Sequence, residues 1–82
     1  PAAAPAAGGW RVQLGAFGVP GNAEALWTRV RGRPELAGRA RLMVPAGRVT
    51  KLQAGGFASE SAAQAACSSL AAAGFACIAV RN

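Results

Sequence analysis

A basic residue followed two positions later by glutamine occurs twice in the chain, as Arg11 with Gln13 and as Lys51 with Gln53. Guanidinium and ammonium groups bind anions, and a glutamine amide both donates and accepts hydrogen bonds. Polar residues on a sheet surface are often only solvated. Folding asks for no particular polar residue there, however, so the recurrence of glutamine favours a binding role. The pattern indicates a surface suited to an anionic, hydroxyl-rich ligand such as an acidic sugar chain.

The two pairs belong to a longer internal repeat. Residues 11–17, RVQLGAF, correspond to residues 51–57, KLQAGGF, and Ala23 and Ala25 recur at the same offset as Ala63 and Ala65. A repeat period of this length is typical of one supersecondary unit used more than once. We therefore predict two copies of a strand followed by a helix.

Alternation in each strand, and end signals in each helix, predict where these elements lie. The first strand begins at Trp10, and its residues divide between two faces: Val12, Leu14 and Ala16 on one, Arg11, Gln13 and Gly15 on the other. Asn22 is the expected N-cap of the first helix, which ends before Gly32. The second helix is expected to begin at Ser59 or Ser61 and to end before Gly74, a good left-handed C-cap.

Two further strands complete the pattern. The run from Ala40 to Val44 alternates, and Pro45, Ala46 and Gly47 are expected to turn the chain into the strand that carries Lys51. Pro45 cannot donate to a ladder, which places the second strand at the sheet edge. A last strand is predicted over residues 76–81, with Ile78 and Val80 facing inward.

The resulting βαββαβ order predicts an α+β, ferredoxin-like (RNP-like) fold. Right-handed crossovers close it as a four-stranded antiparallel sheet of order 4-1-3-2 with both helices on one face. The repeated motif then lies on the two central strands, and its polar residues lie on the face that no helix covers. The predicted binding residues on that face are Arg11, Gln13, Lys51 and Gln53, extended at one edge by Arg41 and Met43.

Composition argues against catalysis. The 82 residues carry a net charge of +6 and suffice for one small domain. They include no His, Asp or Tyr, and the only acids are Glu24, Glu35 and Glu60. General acid–base catalysis, nucleophile activation and zinc sites draw on residue types that are absent or too few. We expect a binding module with no enzymatic activity, cofactor or metal.

The two cysteines, Cys67 and Cys77, have neither CxxC nor metal-ligand spacing. Cys67 lies on the inward stripe of the second helix. With Ile78 facing inward, alternation turns Cys77 to the opposite face of the last strand, so a disulfide between them is disfavoured.

The chain is expected to be part of a longer protein. Residues 1–9 are rich in Ala, Pro and Gly and are predicted to be the end of a linker, with residues 10–82 as the folded domain. The longest apolar run is far shorter than the roughly 18 residues of a membrane span.

The motifs VQLGAF at residues 12–17, the following Asn22-Ala23, and LQAGGF at residues 52–57 resemble the SPOR (sporulation-related repeat) domain family. The resemblance covers Trp10 to Arg81 and implies a ferredoxin-like module. It implies binding to bacterial peptidoglycan, notably septal glycan strands stripped of stem peptides, through Gln13, Lys51 and Gln53 on the open sheet face.

The chain departs from the family pattern at Ala16, where many relatives carry Ser, and at Thr50, where an aromatic is often found. The resemblance also implies an extracytoplasmic location and a membrane-anchored or secreted parent protein. We expect the domain itself to be monomeric.

Two other functions are compatible with this fold. RNA-recognition motifs share the architecture, but they need aromatic residues in the middle of the central strands, where this chain has Gln13 and Gln53. A nucleic-acid partner is therefore not expected. A protein-interaction domain that uses the edge strand with Met43 for sheet augmentation is the third reading.

Overall fold

The computed structural model describes residues 9–81, which form four strands and two helices. The predicted linker at residues 1–9 lies outside the described residues except for Gly9. The elements in chain order are β1 (Trp10–Phe17), α1 (Pro20–Val30), β2 (Ala40–Ala46), β3 (Val49–Phe57), α2 (Glu60–Ala72) and β4 (Ile78–Arg81).

The four strands form one antiparallel sheet in the order β2-β3-β1-β4. This is the predicted order 4-1-3-2 read from the other edge, so the ferredoxin-like fold is confirmed. β1 and β3, which carry the repeated motif, are the central strands, and Gln13 lies directly opposite Gln53. The internal repeat thus places its two glutamines side by side.

Both helices cover the same face of the sheet. Val12, Leu14, Leu52 and Ala54 on the strands form one buried cluster with residues from both helices. The helix residues of that cluster are Ala23, Val30, Ala63, Ala66, Cys67 and Leu70. Small residues on α2 allow that helix to lie close to the sheet. The opposite face, which we call the open face, carries Arg11, Gln13, Lys51 and Gln53.

The two helices begin and end by different means. α1 begins at Pro20 in the N1 position, and its N-cap, Val19, makes no side-chain capping bond. The prediction of Asn22 as N-cap was wrong because Pro20, with its fixed φ and missing N–H, starts the helix three residues earlier than a cap at Asn22 would. Ser59 caps α2 by accepting a bond from the Ala62 amide at 3.1 Å, so the first of the two predicted starts is confirmed.

The predicted C-cap of α2 is also confirmed. Gly74 has a φ of +94°, and the Phe75 amide donates to the Leu70 carbonyl at 2.9 Å. The Gly74 amide donates to the Ala71 carbonyl at 3.0 Å, which completes a Schellman motif. Phe75 then packs against the core.

A bulge changes the faces of β1 after Gln13. The register shifts between Gln13 and Gly15, so Gly15 lies opposite Leu52 on the helix face and Ala16 lies opposite Lys51 on the open face. The predicted alternation holds through Leu14, which is buried in the core, and was wrong from Gly15 onward. A Cβ at Gly15 would lie 2.9 Å from ring atoms of Phe17, so glycine is needed to admit that ring.

The hairpin register corrects the placement of Arg41 and Met43. β2 continues through Ala46, and the turn consists of Gly47 and Arg48 rather than of residues 45–47. This register sets Arg41 opposite Ala54 and Met43 opposite Leu52, both on the helix face, and Met43 packs against the core. Their predicted placement on the open face was wrong.

The last strand has the opposite parity to the one predicted. Ala79 lies opposite Val12 on the helix face, whereas Ile78 and Val80 lie opposite Gln13 and Arg11 on the open face. The inward placement of Ile78 and Val80 was therefore wrong.

The parity of β4 also brings the cysteines together. Cys77, one residue before Ile78, lies on the helix side, where it forms a disulfide with Cys67 of α2 across a Cα–Cα distance of 5.1 Å. The prediction against this disulfide was wrong, since it rested on an inward Ile78.

Candidate functional site

A chain of hydrogen bonds joins three polar side chains at the centre of the open face. The Arg11 Nη1 group donates to Gln53 Oε1 at 3.0 Å, and Gln53 Nε2 donates to Gln13 Oε1 at 3.1 Å. Gln53 is only 6% exposed, although no helix covers it. Because both ends of its amide are bonded within the protein, Gln53 orients its two neighbours rather than offering itself to a ligand.

Gln13 is the accessible amide of the pair. It is half-buried, and its Nε2 group finds no acceptor within residues 9–81. The bond from Gln53 fixes which end of the Gln13 amide points toward solvent. The structure therefore presents an oriented N–H donor in the middle of the open face.

Lys51 supplies a cation on the neighbouring strand. It lies opposite Ala16 of β1 and Val44 of β2, and its ammonium group has no hydrogen-bond or salt-bridge partner within the described part of the chain. Ala16 is small, which leaves room beside the ammonium group. Arg11 and Lys51 thus bracket the two glutamines at opposite ends of the open face.

The acids of the protein lie elsewhere. Glu24 is on α1 and Glu60 on α2, and Glu35 forms a salt bridge with Arg33 at 3.0 Å in the segment before β2. The hydrogen bond from Arg33 lowers the pKa of Glu35, which keeps this carboxylate charged and paired. Over residues 9–81 the open face therefore carries two cations and no carboxylate, a distribution that favours an anionic ligand.

The comparison with known families identifies the chain. Residues 6–81 match the model of the SPOR domain. The chain belongs to the SPOR domain family.

A solved structure similar to this SPOR domain is the solution structure of the peptidoglycan-binding domain of the cell wall lytic enzyme CwlC from B. subtilis. The two chains are 27% identical and superpose with a TM-score of 0.72, over 89% of this chain and 87% of that one. No match was found among curated proteins.

Most of the positive charge of the SPOR domain lies away from the open face. Of nine cationic residues, only Arg11 and Lys51 are on it, which leaves seven elsewhere. Three of those seven lie over aromatic rings: Arg39 over Phe57, Arg29 over Phe75 and Arg81 over Trp10. These arginines cover apolar rings as well as carrying charge, so net charge alone overstates the cations available to a ligand.

Sequence reasoning missed the apolar residues of the open face. Leu42 lies beside Gln53, Val44 beside Lys51, Ile78 beside Gln13 and Val80 beside Arg11. The signal that could have found two of them is the length of the β2–β3 turn, because a turn of two residues instead of three shifts the register of β2 by one residue and exchanges its two faces.

A groove of about 400 Å³ lies between α2 and β4, next to the disulfide. It is lined by Gln64, Cys67, Ser68, Ala71, Cys77, Ile78 and Ala79. None of these side chains is charged, so the groove lacks the anion-binding chemistry of the open face.

No helix within residues 9–81 is both long enough and apolar enough to cross a bilayer.

Proposed function

We propose that this SPOR domain is a non-catalytic module that binds bacterial peptidoglycan through its open face. The observation that carries the proposal is the cluster of Arg11, Gln13 and Lys51, oriented by the buried Gln53, on a face that holds no side-chain carboxylate from residues 9–81. The similarity to the peptidoglycan-binding domain of CwlC supports the choice of ligand.

The proposed ligand is a glycan strand from which the stem peptides have been removed. Removing a stem peptide frees the lactyl carboxylate of each muramic acid, which creates a regularly spaced polyanion. Arg11 and Lys51 meet these carboxylates, and charge-assisted bonds of this kind are stronger than neutral ones. Gln13 bonds acetamido and hydroxyl groups, while intact peptides would prevent close approach to the sheet.

The position of the aromatic residues favours glycan over RNA. Stacking of bases requires rings on the open face of the central strands. Within residues 9–81, the rings of β1 and β3 belong to Trp10, Phe17 and Phe57, and all three pack against the core on the helix side. The open face instead carries amides and aliphatic side chains.

The disulfide supports an extracytoplasmic location. Disulfides persist in oxidising compartments and are rare in the cytosol, where thiols are kept reduced. The bond between Cys67 and Cys77 therefore fits a domain that works in the periplasm or at the cell wall. There it carries its parent protein to denuded glycan at the division septum.

The test is a binding assay on sacculi with and without amidase treatment. We expect wild type to bind treated sacculi, and the double variant Gln13→Ala with Lys51→Ala to bind at least roughly tenfold more weakly. The lost bond of Lys51 to a carboxylate is worth about 1.5–3 kcal/mol, and the lost neutral bond of Gln13 about 0.5–1.5 kcal/mol. The control is Arg31→Ala, which removes one charge from an exposed position at the end of α1 and should leave binding unchanged.

The proposal fails if the double variant binds as well as wild type, or if Arg31→Ala weakens binding as much as Lys51→Ala alone. The preference for denuded strands fails separately, if untreated sacculi bind equally well. Septal targeting is tested with a fluorescent fusion of the domain in dividing cells, where uniform labelling of the envelope would contradict it.

A further inference from the structure

Two large hydrophobic side chains are well exposed within residues 9–81: Val19, 59% exposed, and Ile78, 57% exposed. Single exposed apolar residues are normal on protein surfaces. Ile78 differs from Val19 in its surroundings, because it lies on the open face directly opposite Gln13. Val80, two residues on, lies opposite Arg11 on the same face.

The same arrangement occurs at the opposite edge of the open face, where β2 lies next to β3. Across the middle of the open face the order of residues is Leu42, Gln53, Gln13 and Ile78. Each amide on a central strand therefore has an aliphatic residue as its outer neighbour. Each cation likewise has an aliphatic residue beside it on the adjacent edge strand, Val44 next to Lys51 and Val80 next to Arg11. The internal repeat relates β1 to β3 and β2 to β4 by a pseudo-two-fold axis, and the aliphatic neighbours recur at positions related by this axis. Ile78 therefore belongs to a regular arrangement and is not an isolated exposed side chain.

The two outer positions differ in accessibility. Leu42 is half-buried and its neighbour Gln53 is 6% exposed, so little of that side is open to a ligand. Ile78 is more than half exposed, and its neighbour Gln13 has an Nε2 group with no acceptor in the described part of the chain. The pair formed by Gln13 and Ile78 thus combines an available hydrogen-bond donor with an available apolar surface.

We propose that Gln13 and Ile78 together form a subsite for the acetamido group of an N-acetylated hexosamine. Gln13 donates to the acetamido oxygen, and the methyl group rests on Ile78. Neighbouring strands are about 4.8 Å apart, so a short group held at one strand reaches a side chain on the next. The inference rests on the proposed function, of which it names one specificity-determining contact.

The acetamido methyl group accounts for an aliphatic residue at position 78. A hydroxyl or amide at residue 78 would bond water or any sugar hydroxyl, whereas an aliphatic side chain gains only from an apolar group on the ligand. N-acetylation gives the glycan that apolar group. Ile78 therefore distinguishes acetylated from de-N-acetylated strands.

The experiment compares Ile78→Ser with Val19→Ser, which removes a valine of matching exposure at the N-cap of α1, away from the open face. Binding is measured to denuded glycan strands and to the same strands after chemical de-N-acetylation. On acetylated strands we expect Ile78→Ser to bind roughly five- to tenfold more weakly, as expected for losing the contact of one or two methyl groups. Val19→Ser should bind as wild type does, and Ile78→Leu should retain most of the affinity.

On de-N-acetylated strands wild type and Ile78→Ser should bind equally. Equal binding of the two proteins to acetylated strands overturns the inference, and so does an equal loss on both kinds of strand. If Ile78→Ser is neutral while Gln13→Ala with Lys51→Ala still loses binding, the proposed function stands without this subsite. If wild type fails to bind denuded strands, the proposed function and the subsite are both overturned.

Discussion

The first half of the domain, β1 to β2, and the second half, β3 to β4, each begin with a strand that carries the repeated motif, but the two halves are held together differently. The outer strand of the first half, β2, has seven residues and pairs with β3 along its whole length. The outer strand of the second half, β4, has four residues, and a disulfide ties the residue before it to α2.

The same contrast extends to single residues. Gln13 and Gln53 occupy equivalent positions, yet Gln53 is buried and bonded at both ends of its amide, whereas the Gln13 Nε2 group has no acceptor within residues 9–81. Ser59 caps α2, whereas Val19 provides no side-chain cap for α1. A sequence repeat thus fixes where each residue lies on the fold, and the surroundings at that place decide what the residue does.

The largest effect is expected from removing the disulfide that only the second half possesses. Replacing Cys67 and Cys77 with Ala should lower the free energy of unfolding by about 2–3 kcal/mol, because the unfolded chain gains the freedom of an open loop. This corresponds to a fall of about 10 °C or more in Tm for a domain of this size. Thermal denaturation followed by circular dichroism measures it.

Reductant provides the control for that experiment. It should lower the Tm of wild type and leave the double variant unaffected. An unchanged Tm in the double variant would mean that pairing with β1 alone is enough to hold β4, and the two halves would then be equivalent in stability.

A smaller effect should separate the two glutamines. Gln53→Ala removes two hydrogen bonds at a buried position and should lower the free energy of unfolding by about 1–2 kcal/mol. Gln13→Ala removes only one of these two bonds, the one that Gln13 accepts from Gln53, and water can reach the Gln53 Nε2 group through the vacated half-exposed position. It should therefore lower the free energy of unfolding by less, about 0.5 kcal/mol. Urea denaturation of the two variants side by side tests the difference, and equal losses would contradict the distinct roles of the two amides.

The smallest effect concerns the helix starts. Ser59→Ala should cost about 1 kcal/mol, since the Ala62 amide loses its acceptor. Val19 already has the extended backbone of an N-cap, with φ of −114° and ψ of 113°. Val19→Ser should therefore raise the free energy of unfolding by about 0.5 kcal/mol. If both substitutions destabilise the domain equally, capping does not account for the difference between the helices.

The fold, and the face on which the central residues of the candidate site lie, were predictable because the central strands carry a strong pattern. Val12 and Leu52 are fully buried, whereas the charged Arg11 and Lys51 on the same strands face away from the helices. Such a contrast leaves one consistent assignment of faces. The forty-residue offset then pairs the two strands, and the strand–helix order selects the ferredoxin-like topology.

The edges of the sheet were not predictable on the same grounds. β2 alternates between Leu42 and Met43, both apolar, so hydrophobicity does not choose between its faces. The length of the turn, two residues instead of the predicted three, decided which face is which. In β4 the larger side chains of Ile78 and Val80 suggested burial, but the disulfide at Cys77 and the register with Gln13 turned them outward. Residues placed by turns and cross-links carry little signal in local periodicity.

The pairing of Trp10 with Arg81 brings the first residue of β1 and the last of β4 side by side, with the Arg81 guanidinium 5.6 Å from the centre of the Trp10 ring. Sequence joined to either end of the domain would enter at one corner of the sheet, next to Arg11 and Val80 on the open face. A protein segment attached to either terminus of the domain would therefore be joined to it at the same corner of the sheet. A circular permutant that links these ends and opens the turn at Gly47 and Arg48 would keep the sheet intact. It would move the site of attachment to the opposite corner of the sheet.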